Sequence, residues 1–372
     1  MKNRLTVKAL CFLLIIYTLT VPFSLIASAE ENRVENKNEA YVCENCVPAL
    51  AENVEVGSRF FELLFGKDEE EKRPELILGG NVFGVKIKQK YVTVSDAPGI
   101  PLLRAGDIIL SLNGESVHTA SDVKRIVENS GGKSLTIRAL HKGSEIAFEL
   151  RPSLENGEYR LGLTLRDGAA GLGTVTFIDP KTGVFGGLGH GICDSDSGEV
   201  IAMESGEVLG VILGGVHKGE SGKPGELCGV LTDSDIGDLN LNCECGVFGK
   251  ITNLPTSATT IEIGRRNEVT EGEAKIVSTL KNGKSAEYKI EIYDIDYSSE
   301  ESKSFRIRVT DETLKAITGG IVRGMSGSPI IQNGRLVGAV THVLVADPTE
   351  GYGIFIENML SKVNSSELKN AA

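Results

Sequence analysis

Two short stretches hold the residue types that peptide-bond chemistry needs. In Gly324-Met325-Ser326-Gly327-Ser328-Pro329 a serine stands between glycines. A serine hydroxyl is a weak nucleophile until a base takes its proton. The oxyanion that forms after attack then needs preorganised donors. Glycines around Ser326 permit a tight turn that aims the N–H groups of Gly324 and Ser326 at one point. Ser328 is a rival nucleophile, but the glycine spacing favours Ser326; the bland alternative is a Gly/Ser turn joining two strands. The second stretch is Gly186-Gly187-Leu188-Gly189-His190-Gly191-Ile192-Cys193-Asp194. A histidine titrates near neutrality and suits the general-base role, and small neighbours let a substrate approach the ring. Of the other histidines, His118 and His141 fall in an N-terminal module and His217 in a Gly-rich loop. His342 follows the strand after the serine, where a structural or pocket role fits. For an acid that orients the imidazole, Asp233 and Asp235 lie between His190 and Ser326, while Asp194 closes the turn after His190. Asp311 opens Asp311-Glu312-Thr313-Leu314-Lys315, where a carboxylate equally suits a helix N-cap.

The elements that must position these residues read as mainly β. Residues 76–152 show short strand-like runs, among them Val82–Ile87, Tyr91–Val94 and Ile108–Leu112. One amphipathic helix is expected over Ala120–Asn129, with Val123, Ile126 and Val127 on one face, Thr119 or Ser121 as cap and Gly131-Gly132 as stop. Residues 158–365 alternate strands with Gly and Asn turns such as Asn333-Gly334. That many hairpins fit two packed barrels better than one sandwich.

The 372-residue chain carries 39 Lys and Arg against 51 Asp and Glu, a net charge of −12. This balance argues against a nucleic-acid binder, which neutralises phosphates with a basic stripe, and against docking on an anionic membrane surface. Residues 1–29 combine Lys2, Arg4 and Lys8 with an apolar run ending in Ala27-Ser28-Ala29. That pattern is a signal peptide or an uncleaved N-terminal anchor; either way the remainder is exported, and the membrane is met only by this segment. Residues 30–75 form a polar linker. Export permits disulfides among Cys43, Cys46, Cys193, Cys228, Cys243 and Cys245. Disulfides or free thiols rank above a zinc tetrad of Cys193, Cys228, Cys243 and Cys245, since Cys-x-Cys is a weak metal signal.

Three resemblances extend this reading. The serine stretch, followed by Pro329-Ile330-Ile331, an Asn-Gly turn and Leu336–Val340, resembles the nucleophile loop of chymotrypsin-like proteases, in which the histidine also precedes the serine. Met325 departs from it, since an acid or amide usually precedes the serine. Leu103-Arg104-Ala105-Gly106-Asp107-Ile108-Ile109-Leu110-Ser111-Leu112-Asn113-Gly114 resembles the central hairpin of a bacterial protease PDZ domain, which takes up a peptide beside an edge strand. The groove entrance is expected at Phe83-Gly84-Val85, with Val123 and Ile126 on the facing helix. Taken with Gly319-Gly320-Ile321-Val322-Arg323-Gly324, the histidine and serine motifs resemble the sporulation stage IV protein B peptidases. The resemblance implies a small PDZ module followed by a chymotrypsin-like double β-barrel, and a self-processing serine endopeptidase with Asp311 as its acid. It implies a location between the two membranes around the forespore and signalling to an intramembrane protease that activates a late sigma factor. No metal or organic cofactor is required. The partner is a protein or peptide substrate, a membrane-associated regulator of that intramembrane protease. Two rivals stand beside this reading: an envelope quality-control protease, whose PDZ usually follows the protease domain, and a catalytically inactive PDZ scaffold.

Overall fold

The computed structural model describes residues 73–254, 259–281 and 283–363. The N-terminal apolar segment, most of the linker, and Cys43 and Cys46 lie outside these residues. Among the described residues no helix is long and apolar enough to cross a membrane.

Six antiparallel strands close the first barrel. Around the ring they run Val82–Asp96, Thr164–Ile178, Val184–Gly187, Gly246–Ile251, Glu226–Cys243 and Met203–His217, which returns to the first. Alternation along the first strand explains the closure. Phe83, Val85 and Ile87 point inward, whereas Lys86 and Lys88 face solvent, as the two-residue period of a strand dictates. The inward set meets Val175, Phe185, Leu188, Val208 and Val247 in one core. A second closed barrel contains Gly272–Lys281, Lys284–Tyr293, Phe305–Val309, Glu350–Phe355, Arg335–Val343 and Pro329–Gln332. Its core includes Ile276, Ile290, Ile307, Ile330 and Val340. Closure pairs the strand edges that an open sheet would leave exposed.

The PDZ module has its own core, built from Val94, Leu103, Ile109, Leu112, Val123, Val127 and Ile137. The helix occupies Ala120–Asn129 as its periodicity predicts. Thr119 caps it: its hydroxyl accepts from the Asp122 N–H, and the Asp122 carboxylate accepts from the Thr119 N–H. This reciprocal pair satisfies donors that every helix start leaves open.

Two 15-residue strands run through both the module and the first barrel. In Val82–Asp96, residues 82–88 belong to the barrel, while Val92 and Thr93 pair with Ile109 and Ile108 of the PDZ module. In Thr164–Ile178, Thr164 to Arg166 pair with the PDZ end of that strand and Gly168 to Thr174 with its barrel end. This corrects the expected peptide groove. Phe83 and Val85 are buried in the barrel core, and Gly84 is covered there by Leu231 and Leu209.

Candidate active site

The nucleophile loop joins helix Glu312–Thr318 to strand Pro329–Gln332, and the first barrel grips it. Thr174 donates through its hydroxyl to the Gly324 carbonyl (2.8 Å) and through its N–H to the Ser326 carbonyl (2.9 Å). Thr176 donates to the Gly327 carbonyl at 2.8 Å. From the second barrel, Val340 accepts from the Gly327 N–H and donates to the Ser328 carbonyl. Gly327 has a φ of +91°, and a Cβ placed there would stand 2.0 Å from the Thr174 oxygen. Only glycine fits between the loop and the strand that clamps it.

The departure at Met325 has a packing reason, because its side chain is fully buried in the second-barrel core. Ser328 is fully buried as well, which removes it as a rival nucleophile. Ser326 instead lines a cleft of about 450 Å³ together with His190, His342, Gly324, Arg323 and Cys193. Within the loop, the N–H groups of Arg323, Met325, Gly327 and Ser328 all donate to backbone carbonyls. Those of Gly324 and Ser326 have no acceptor among the described residues. Two uncommitted donors beside a serine hydroxyl are the preorganised arrangement that an oxyanion requires.

His190 follows Leu188 and Gly189, both in the left-handed region. Asn242 fixes the chain just beyond it, accepting from the Ile192 N–H and donating to the Ile192 carbonyl. His190 Nδ1 lies 2.8 Å from the Gly191 carbonyl. A carbonyl only accepts, so the proton sits on Nδ1, and Nε2 keeps the lone pair that a general base uses. The His342 ring packs against it, with centroids 4.8 Å apart and an interplanar angle of 35°. Burial holds the His190 pKa below the ordinary imidazole value, with the Gly191 carbonyl acting in the opposite direction. Burial, then the neighbouring His190 and Lys303, push His342 down to about 4. Both rings are therefore neutral at neutral pH. The Ser326 hydroxyl donates to the Thr341 carbonyl at 2.8 Å, so a proton transfer to His190 would require it to turn away from that acceptor.

The structure gives Asp311 a different task from the one the resemblance implies. Asp311 is the N-cap of helix Glu312–Thr318. Its carboxylate accepts from the N–H groups of Leu314 (3.0 Å) and Lys289 (3.2 Å). Burial alone would raise its pKa, but the Leu314, Lys289 and Thr313 N–H groups outweigh that and hold it low. Asp233 and Asp235 are exposed on strand Glu226–Cys243. Asp194 is tied to the Ser197 and Asp196 N–H groups and to Arg166. Among the described residues no carboxylate contacts His190; the Gly191 carbonyl is the one hydrogen-bond partner of its ring, which also packs against His342. The four-cysteine zinc tetrad is also excluded. Cys228 and Cys243 stand near opposite ends of one 18-residue strand, so the four do not converge; as to disulfides, none joins Cys193, Cys228, Cys243 or Cys245.

The PDZ module has a groove of about 470 Å³ between helix Ala120–Asn129 and residues 159–165. Val123 and Val127 line it, whereas Ile126 is buried in the module core. Opposite the helix lies Leu161-Gly162-Leu163, whose N–H groups have no acceptor among the described residues. This apolar-Gly-apolar triplet, immediately before strand Thr164–Ile178, takes the place expected for Phe83-Gly84-Val85. Its sequence signal was the same triplet pattern, repeated at the C-terminal end of the module.

A family model described as SpoIVB peptidase S55 matches residues 157–360, and one described as a PDZ domain matches residues 103–140. Among solved structures, the PDZ domain of the SdrC-like protein from Listeria monocytogenes is 20% identical. That match covers 22% of this chain and 93% of the other, with a TM-score of 0.20. The active form of the Rv3671c protease from M. tuberculosis is 12% identical, covering 66% of this chain and 85% of that one, with a TM-score of 0.30. Its inactive form is 13% identical over 52% and 85%, with a TM-score of 0.28. Comparison with curated proteins found no match.

Proposed function

The chain belongs to the SpoIVB peptidase S55 family, and on that premise we propose that this serine peptidase is an exported endopeptidase that processes itself and a membrane-associated regulatory protein. The observation that carries the reading is the convergence of three features in one cleft. These are the Ser326 hydroxyl, the His190 ring with its free Nε2, and the uncommitted N–H groups of Gly324 and Ser326. Ser326 attacks a peptide carbonyl while His190 Nε2 takes its proton and returns it to the leaving amine. The Gly324 and Ser326 N–H groups hold the oxyanion, and the Gly191 carbonyl keeps the imidazole in the required tautomer. The PDZ groove takes a peptide chain end, its carboxylate held at Leu161-Gly162-Leu163, and so positions the protein substrate.

The place of action is the space between the two membranes around a forespore, reached through the N-terminal segment. There the cut regulator releases an intramembrane protease that activates a sigma factor. Family membership and the PDZ module support this role. The linker of residues 30–75 is the site of self-processing.

Residues 30–372, purified beside a Ser326→Ala version, test the proposal. The parent is expected to shorten itself with time and the variant to remain intact. Equal behaviour of the two, with no hydrolysis of added peptides, would leave a PDZ-bearing binding protein in place of a peptidase.

A further inference from the structure

The hairpin of strands Met203–His217 and Glu226–Cys243 ends in three side chains that the peptidase chemistry leaves unused. His217 and Glu226 are direct partners across the ladder, and Cys228 stands opposite Gly215. Residues two apart on a strand share a face, so the Glu226 carboxylate and the Cys228 thiol project together, joined by the His217 imidazole. Leu227, between them, turns inward and is buried. Gly215 leaves the space opposite the thiol open.

One ligand atom from each of His217, Glu226 and Cys228 falls within 4.8 Å of the other two. His217 Nδ1 and Glu226 Oε1 are 3.1 Å apart. Ligands bound to tetrahedral zinc at about 2.0–2.3 Å stand about 3.3–3.8 Å from one another. Side-chain rotation alone closes the gap, and the exposure of His217 (73%) and Glu226 (52%) leaves both free to rotate. We propose that His217, Glu226 and Cys228 form a three-ligand site for a borderline-soft divalent cation of the zinc class, with water as the fourth ligand.

Thiolate with imidazole selects such an ion over calcium or magnesium, which prefer all-oxygen sites. Binding replaces the thiol proton, so one proton leaves for each ion bound. The site also adjoins the nucleophile loop. The Leu227 N–H donates to the Arg323 carbonyl, and the Arg323 N–H donates to the Gly225 carbonyl. The Leu227 side chain lies against Gly324. Glu226 and Cys228 thus flank the residue that supports one of the two oxyanion donors, and the ion fastens that strand end.

Cobalt(II) titration of the reduced Ser326→Ala protein tests this without reference to peptidase activity. One equivalent is expected to give a near-ultraviolet thiolate-to-cobalt band and the intense visible bands of tetrahedral cobalt, both abolished by zinc. Cys228→Ser is expected to remove the near-ultraviolet band, and His217→Ala to weaken cobalt binding at least tenfold, with both variants melting like the parent. No thiolate band in the parent would reduce the trio to an exposed ion pair beside a thiol and overturn the proposal. A band unchanged in Cys228→Ser would also overturn it, by assigning the metal to other cysteines.

Discussion

The loop that carries Ser326 and the loop that carries His190 face each other across one cleft, but they are held very differently. Backbone bonds from both barrels fix the serine loop, and buried threonine hydroxyls clamp two of its carbonyls. A buried polar group without its partner costs about 1–3 kcal/mol, so each clamp resists any other course of the loop. The His190 chain is pinned by Asn242, yet the ring itself has a single hydrogen bond, to the carbonyl of the next residue. The serine loop and its two uncommitted N–H groups are rigidly built. The His190 ring is set by burial, by a neighbouring ring and by one carbonyl.

Four experiments break or sharpen that contrast, from the largest expected effect to the smallest. Gly327→Ala places a methyl group against the Thr174 carbonyl at a backbone angle that alanine disfavours. It is expected to cost roughly 3 kcal/mol or more and to remove activity, read by thermal melting and peptide hydrolysis. A fully stable, active variant would show that the clamp is loose.

The second experiment is a pH profile. An imidazole serves as a base only when neutral, and burial holds the His190 pKa below the usual 6.5. Hydrolysis is therefore expected to persist below pH 6.5 and then to fall about tenfold per pH unit beneath the His190 pKa. A midpoint at or above 6.5 would mean that a carboxylate reaches the ring in the working enzyme. Stability should follow the same sign. His342 has a folded pKa depressed to about 4, so the stability it allows is complete above about 6.5 and is lost as pH falls toward 4. Melting temperatures measured across that window should drop, and His342→Phe should flatten the drop.

The smallest effect is expected at Asp311. Removing an N-cap costs about 1 kcal/mol, so Asp311→Ala should melt slightly earlier while kcat changes less than about threefold. A triad acid behaves otherwise, since its loss lowers kcat by about 10⁴. A loss of that size at unchanged melting temperature would return Asp311 to the catalytic set.

Structure is legible in the sequence where the signal is local. Thr119 and the apolar spacing mark the PDZ helix, and Gly324 to Pro329 mark the serine turn, because each depends on neighbours a few residues away. Val82–Asp96 shows where locality ends. Its alternation says that one face is buried but not in which core, and the answer rests on pairing Val82 with Thr174 far along the chain. Phe83-Gly84-Val85 and Leu161-Gly162-Leu163 look alike as sequence, and only the strand pairing places one in a barrel and the other at a groove. Asp311 was ambiguous for a related reason: a carboxylate ahead of a short helix serves a cap or an imidazole equally well until the fold shows what it touches.

The strand Thr164–Ile178 also acts as a ruler. Thr164 and Leu165 line the PDZ groove, Ala169 to Leu172 line the catalytic cleft, and Thr174 holds the serine loop. At about 3.3 Å per residue, the stretch from Leu165 to Thr174 has a contour of at most about 30 Å. A continuous run of backbone, in place of a linker, sets the interval between the PDZ groove and the catalytic cleft. Under the proposed function, that fixed interval would make substrate length a criterion of selection alongside sequence.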